Sequence, residues 1–260
     1  MTTGRVRRRD LRIYIDGYDM SGYTRTIGPL AVTFDEGMDE TVTFNVKQTL
    51  LGMATVSAGT YNGMFDNTAT VGSHAILQTA GVVRTLLVAQ GVQAAPIAND
   101  PTFCGQFVQK DYYAAGDENP IAITIPFDNT GSGAGNLYYA SPWGVLLHPN
   151  GAETAANTAV GLDQLAGTTK GGWLCYQVTA AAGAGNMTAA LKVQHSTTTN
   201  LDGSFSDLLS TGTINCVAPV GSTVQLAPTA TVGRYVRFQI TLGTATSVTF
   251  ALSFNRNYIP

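Results

Sequence analysis

A mainly β protein with one short helix and two successive β domains is predicted by three features of the sequence. Apolar and polar residues alternate with period two, strand-length runs are rich in β-branched and aromatic side chains, and Gly, Asn, Asp or Pro bound the runs. The apolar share of 44% over 260 residues is enough to bury a core in one large or two ordinary domains.

The first run alternates Leu11, Ile13 and Ile15 with Arg12, Tyr14 and Asp16, then meets Asp16-Gly17; this reads as a strand entering a hairpin turn. Further strands are expected at residues 30–34, 41–46, 54–57, 85–89, 103–110, 121–127 and 137–139. The one helix is expected at 70–79, with Ser73 as cap to residues 74–77 and Gly81 as stop. The Gly-rich run 131–135 reads as a loop and 150–172 as a poorly structured stretch. These place a domain boundary near residue 148, so residues 1–148 form one β domain with a basic N-terminal arm and 149–260 a second. Strands in the second are expected at 173–180, 187–195, 213–217, 223–227, 234–242 and 246–255, spaced as in a β-sandwich of jelly-roll or immunoglobulin type. The clearest has Tyr235, Arg237, Gln239 and Thr241 on one face and Val236, Phe238, Ile240 and Leu242 on the other. No residue pattern recurs at a fixed offset between the halves, so no internal duplication is read.

Charged residues make up 12% of the chain, roughly half the usual share, and the net charge is −3. Copies of such a chain repel one another weakly, which favours self-association or burial in an assembly; a secreted β protein has a similar composition. No run approaches the roughly 20 apolar residues that span a bilayer, so no membrane partner is expected. The Arg-rich start leads into a strand pattern, not a signal-peptide core. Cys104, Cys175 and Cys216 are odd in number and widely spaced, so they are expected to be reduced core residues made in a cytoplasm.

Few residues are available for chemistry. His74, His148 and His195 stand in no HExxH or paired-ligand spacing, and no GxSxG elbow or Walker pattern occurs. Asp35, Glu36, Asp39 and Glu40 fall within six positions and have the chemistry to bind a hard cation. Without the Gly-centred spacing of a calcium loop, however, they read as a charged loop between strands. Asp16-Gly17-Tyr18-Asp19 reads as a turn. Arg5, Arg7, Arg8, Arg9 and Arg12 make a basic arm, which in a slightly acidic chain without interleaved aromatics fits an acidic neighbouring subunit better than nucleic acid. Asn186-Met187-Thr188 matches the glycosylation pattern but has no export signal before it. Trp173, Tyr176, Phe205, Tyr235, Phe238, Phe250 and Phe254 are either core residues or a sugar-binding platform. No catalytic, metal or cofactor residue is assigned, no cofactor is expected, and the chain is expected not to be an enzyme.

The opening strand and turn Ile13-Tyr14-Ile15-Asp16-Gly17-Tyr18-Asp19-Met20-Ser21-Gly22 resembles that of a bacteriophage tail-tube, or major tail, protein. So do the Thr-rich run Glu40-Thr41-Val42-Thr43-Phe44-Asn45-Val46-Lys47 and Gly59-Thr60-Tyr61-Asn62-Gly63-Met64-Phe65-Asp66-Asn67. The likeness covers residues 10–148. It implies a tail-tube-like β-sandwich or barrel with one flanking helix, whose strands pair between subunits into rings that stack as a conduit for DNA. The resemblance also implies that the partners are copies of the chain and other virion proteins, that DNA passes without specific binding, and that the chain resides in the virion. Residues 149–260 resemble the added outward-facing β modules of phage structural proteins. A second tube-like domain would give trimeric rings and a surface ornament hexameric ones. Low charge permits strand pairing between copies, and a lumen that is not strongly basic lets DNA slide.

Two other readings are kept. One is a capsid decoration, head-fibre or tail-fibre protein whose second domain binds glycans through exposed aromatics. The other is an exported carbohydrate-active enzyme or adhesin, which needs a signal segment and two carboxylates about 5 to 10 Å apart.

Overall fold

The structure is a computed structural model and describes residues 10–39, 48–92, 94–116, 121–129 and 141–257. In chain order its elements are β1 (Leu11–Ile15), β2 (Tyr18–Asp19), β3 (Thr24–Gly28), β4 (Ala31–Asp39), β5 (Gln48–Ser57), β6 (Thr60–Met64) and helix α1 (Ser73–Leu77). These are followed by β7 (Val83–Gln90), β8 (Pro101–Gln109), β9 (Tyr113–Ala115), β10 (Ala122–Asn129), β11 (Trp143–Glu153), β12 (Asn157–Thr158) and β13 (Leu162–Asp163). The chain ends with β14 (Gly172–Gly183), β15 (Thr188–Ser196), β16 (Ser206–Ser210), β17 (Ile214–Asn215), β18 (Val220–Gln225), β19 (Tyr235–Leu242) and β20 (Ala245–Arg256). The protein is mainly β, as the alternation predicts. It forms two compact units that interleave along the sequence: Met1–Tyr23 with Val83–Gln106 and Ser132–Pro260, and Thr24–Val82 with Phe107–Gly131.

The first unit is organised by a sheet in the order β18-β14-β20-β11-β8. Successive residues of a strand point to opposite faces, and here both faces are covered. On one side Leu174, Tyr176 and Val178 of β14 and Phe250, Leu252 and Phe254 of β20 pack on Leu191, Val193, Val236, Phe238 and Ile240. Those partners belong to a second antiparallel sheet, β12-β19-β15-β16, so the pair is a β-sandwich. On the other side Trp173 and Cys175, with Ala251 and Leu146, meet Tyr14, Leu87, Ala89 and Cys104. Each large side chain so buried contributes about 1.5–3 kcal/mol. This explains why β14 opens with the apolar run Trp173–Tyr176 and why β20 is buried continuously from Phe250 to Arg256.

The second unit has the order β8-β10-β6-β3, with β9 on β10, and β8 enters it through Phe107–Gln109. Here the alternation is clean. Ile123, Ile125 and Phe127 of β10 and Tyr61 of β6 are buried while their neighbours are half-exposed. Helix α1 is fixed at both ends. The Ser73 hydroxyl donates to the Met64 carbonyl (2.6 Å) and accepts from the Asp66 N–H (3.0 Å), and the Gln109 amide donates to the Leu77 carbonyl (2.6 Å). Strands β4 and β5 form a separate antiparallel hairpin, from Ala31 opposite Ser57 to Asp39 opposite Gln48, with a bulge between Phe34 and Glu36.

Several expectations are corrected. The helix is five residues long, capped by Gly72 with Ser73 as its first residue, and it ends at Leu77 ahead of Gly81. The stretch 150–172 is ordered by short strands on β19 and by a fork in which Arg234 donates twice to Asp163, at 2.7 and 2.6 Å. Strands β3, β9, β11 and β16 were not expected. Residue 148, the expected boundary, lies inside β11, where Leu147, Pro149 and Asn150 are absorbed by register shifts on either side of His148 and the ladder resumes at Gly151. The expected strands 41–46 and 137–139 and the loop 131–135 lie outside the described residues.

The Asp16-Gly17 turn is held by a buried amide. Gln177 Oε1 accepts from the Gly17 N–H at 2.5 Å while its Nε2 donates to the Thr85 carbonyl at 3.0 Å. Asp16 accepts from the Thr85 N–H (2.7 Å) and from Arg84 (3.0 Å). Gly17 has φ +87°, and a Cβ there would meet the Val220 nitrogen at 2.2 Å, so only glycine fits. Gln177→Ala strands the buried Gly17 N–H and leaves a void. A loss of about 3 kcal/mol in unfolding free energy is expected from urea denaturation, and a change under about 1 kcal/mol would show that the amide does not hold the turn.

Candidate functional site

The residues that the sequence offers for chemistry do not converge. His74 lies in α1, stacked on Phe65 at 4.8 Å, with Nδ1 2.8 Å from the Tyr112 hydroxyl; burial raises the Tyr112 pKa. His148 lies in β11, stacked on Phe250 at 4.2 Å. Its Nδ1 is 3.0 Å from the Phe250 carbonyl and its Nε2 is 3.1 Å from Glu153, which also accepts from Asn157. His195 lies in β15, where Nδ1 accepts from the Gly233 N–H at 2.8 Å. Among the described residues no three His, Cys, Asp or Glu side chains are grouped to hold a metal.

The thiols are core groups. Cys104, Cys175 and Cys216 are free and buried, with Cys104 Sγ 3.0 Å from the Ser253 hydroxyl. Burial first, and then the Cys104 thiol, push the Cys175 pKa well up, and burial also raises that of Cys216. Cys175 and Cys216 are thereby held in the unreactive protonated form.

The aromatic residues of the C-terminal half are mostly core as well. Trp173, Tyr176, Phe238, Phe250 and Phe254 are buried. Phe205 and Tyr235 are half-buried, and guanidinium groups lie over both, Arg237 at 4.1 Å and Arg234 at 5.3 Å. A sugar ring finds no open platform on these seven side chains. Arg237 is itself tied to Asp202 and to Gln194, the latter at 2.9 Å, which makes it a buried strut on the otherwise polar face of β19.

What stands out instead is a backbone feature, the β4–β5 hairpin. Asp35, Glu36 and Asp39, read from sequence as a loop, lie in strand β4; Glu40 is outside the described residues. The strands are nine and ten residues long, about 30 Å at the usual rise, and among the described residues no third strand pairs with them. A two-stranded ribbon is marginally stable in water on its own and gains from a partner along its open edges. The sequence signal was the alternation at residues 30–34 and 54–57, which marks the base of the hairpin only. Arg5, Arg7, Arg8 and Arg9 lie outside the described residues.

One titration is legible in the geometry. Burial first, and then the charge of Arg256, lower the His195 pKa, and protonating Nδ1 would turn the acceptor of the Gly233 N–H into a donor. The unfolded chain therefore takes up the proton first as pH falls below about 6.5, and stability declines from there towards the lower folded value. His195→Asn keeps an acceptor and removes the titration. Urea midpoints at pH 7.5 and pH 5.5 should differ less for this variant than for the parent, and equal differences would assign the pH dependence elsewhere.

No family model matches the chain, and no curated protein matches it. A solved structure similar to it is the SPP1 Dit (gp 19.1) protein, described as a paradigm of the hub adsorption apparatus in phages infecting Gram-positive hosts. The identity is 9%, the TM-score is 0.30, and the match covers 94% of this chain and 98% of that one. At that score the likeness carries no argument about shared fold or function.

Proposed function

We propose that this chain is a bacteriophage virion structural protein of tail type that works by assembling with copies of itself, as a subunit of stacked rings around a DNA conduit. The observation that carries the reading is the β4–β5 hairpin, a ribbon of about 30 Å with two open edges among the described residues, in a chain with 12% charged residues and a net charge of −3. Along β5 the sequence Gln48–Ser57 places no charge and no proline, devices by which a monomer blocks an edge; a subunit keeps such an edge for its neighbour.

The sequence resemblance of residues 10–148 to tail-tube proteins supports the same assignment. Residues 59–67, likened to the strand before that family's single helix, contain β6, which is followed by α1. In this reading the partners are other copies and other virion proteins, DNA passes without specific contacts, and the rings hold three or six subunits. The decoration or fibre reading required exposed aromatics, and the seven candidates are buried or covered.

Negative-stain electron microscopy of the purified protein across a concentration series tests the proposal. Stacked rings or hollow tubes of uniform bore are expected, and they give the symmetry directly. Monomers at every concentration would overturn it.

A further inference from the structure

The four most exposed large apolar side chains among the described residues are Leu165 (81%), Val160 (77%), Leu201 (72%) and Ile97 (65%), and all four belong to the first unit. Their loops are joined. Gln164 Nε2 donates to Asn99 Oδ1 at 2.8 Å, which ties the Leu165 turn to the Ile97 loop. A Cβ on Gly161 would collide with Asn200 and Phe205, so the Val160 and Leu201 loops lie in contact. An apolar patch of this kind, on the order of a few hundred Å², is as large as monomers carry and is often functional.

The patch is also held rigid. Leu165 has φ +66°, in the left-handed region, and the Ala166 N–H donates to the Gln164 carbonyl at 2.8 Å to close a three-residue γ-turn around it. Leucine is disfavoured in that conformation and persists there because its surroundings over-determine it. The Asp163 carboxylate accepts from the Leu165 N–H at 2.8 Å and is itself gripped by the Arg234 fork. Backbone strain that presents a leucine to water points to a partner surface, and a preformed patch loses little freedom on docking.

Beside Ile97 lies a hollow of about 70 Å³ whose wall is mostly apolar, with Ala89, Ala95, Pro96, Leu146, Pro149 and Ala251 in it. Ala95, Pro96 and Ile97 are consecutive, so ridge and hollow adjoin. The charges that flank the ridge are neutralised within the chain, Asp163 by Arg234 and Asp202 by Arg237. Two ridges of the same kind therefore meet without like-charge repulsion.

We infer that this apolar edge docks on a second copy of the chain across a two-fold axis, with the Ile97 and Leu165 ridge of each copy against the hollow of the other. The inference rests on the self-assembly reading and adds a contact that the β4–β5 hairpin does not supply. A surface that carries knob and hole side by side is complementary to itself, which selects an identical copy over an unrelated partner. The contact is isologous, so it closes chains into pairs rather than extending a ring.

The test uses two variants of the full chain. A ridge variant carries Ile97→Lys and Leu165→Asn, the asparagine being tolerant of the left-handed backbone, and a hollow variant carries Ala95→Tyr, which crowds the mouth and leaves the ridge intact. All three positions are exposed, so the fold is kept, and circular dichroism melts check this. Sedimentation velocity across a concentration series then gives the concentration for half-association. Each variant is expected to need at least about tenfold more protein than the parent. Parental values for both variants would overturn the inference, leave the self-assembly reading standing and assign the patch to a different protein. A shift with the ridge variant alone would overturn the hollow as its receptor. Pairs that both variants weaken, without rings or tubes in electron micrographs, would uphold this contact and remove the ring reading. A parent that stays monomeric throughout removes the self-assembly reading, and the inference with it.

Discussion

The first unit depends on one sheet having no solvent face. With β1 and β7 on one side and the β12-β19-β15-β16 sheet on the other, β14 and β20 are inaccessible along most of their length. Every polar group in them then needs a protein partner, because an unpaired one costs about 1–3 kcal/mol. Gln177 meets this with Gly17 and Thr85, Asn255 donates to the Ser141 and Pro142 carbonyls, and Arg256 donates to the carbonyls of Val232, Gly233 and Arg234. These bonds tie distant loops to the sheet and fix where its strands must stop.

How far the sequence betrays the fold follows from the same constraint. Strand β19 has one polar face, and its alternation of Val236, Phe238 and Ile240 with Tyr235, Arg237 and Gln239 was read correctly. The central strands have none, so Trp173 and Leu174 are both apolar and period two carries no information about which faces which layer. Strand β11 was missed because His148-Pro149-Asn150-Gly151 has turn chemistry. In three dimensions His148 and Gly151 keep their partners on β20 and the ladder skips only Pro149 and Asn150 between them, which the partner strand alone reveals. The hairpin was legible at its base and hidden along its acidic half, since Asp35, Glu36 and Asp39 have low strand propensity.

Side chains that signal catalysis in other proteins are occupied here with structure. His148 props Phe250 and Glu153, His74 joins Phe65 to Tyr112, and His195 accepts from Gly233. Each satisfies a local hydrogen-bonding need at a different place in the fold. In the proposed reading, the feature that serves function is a backbone edge, which meets other copies of the chain. That is why a reading from motifs could exclude little and a reading from sheet topology could propose a role.

The interleaving of the two units has a consequence for biosynthesis. All the residues of the unit built on Thr24–Val82 and Phe107–Gly131 are synthesised by the time half of the chain is made. The other unit holds β1 at the start and β20 near residue 256 in one connected sheet, so its core cannot close until translation is almost finished. Domains fold as their residues emerge, at about 5–20 residues per second, so β1 and β7 wait on the order of ten seconds or more for the last strand that covers them. The nascent protein therefore presents the hairpin-bearing unit first and completes its largest apolar layer last.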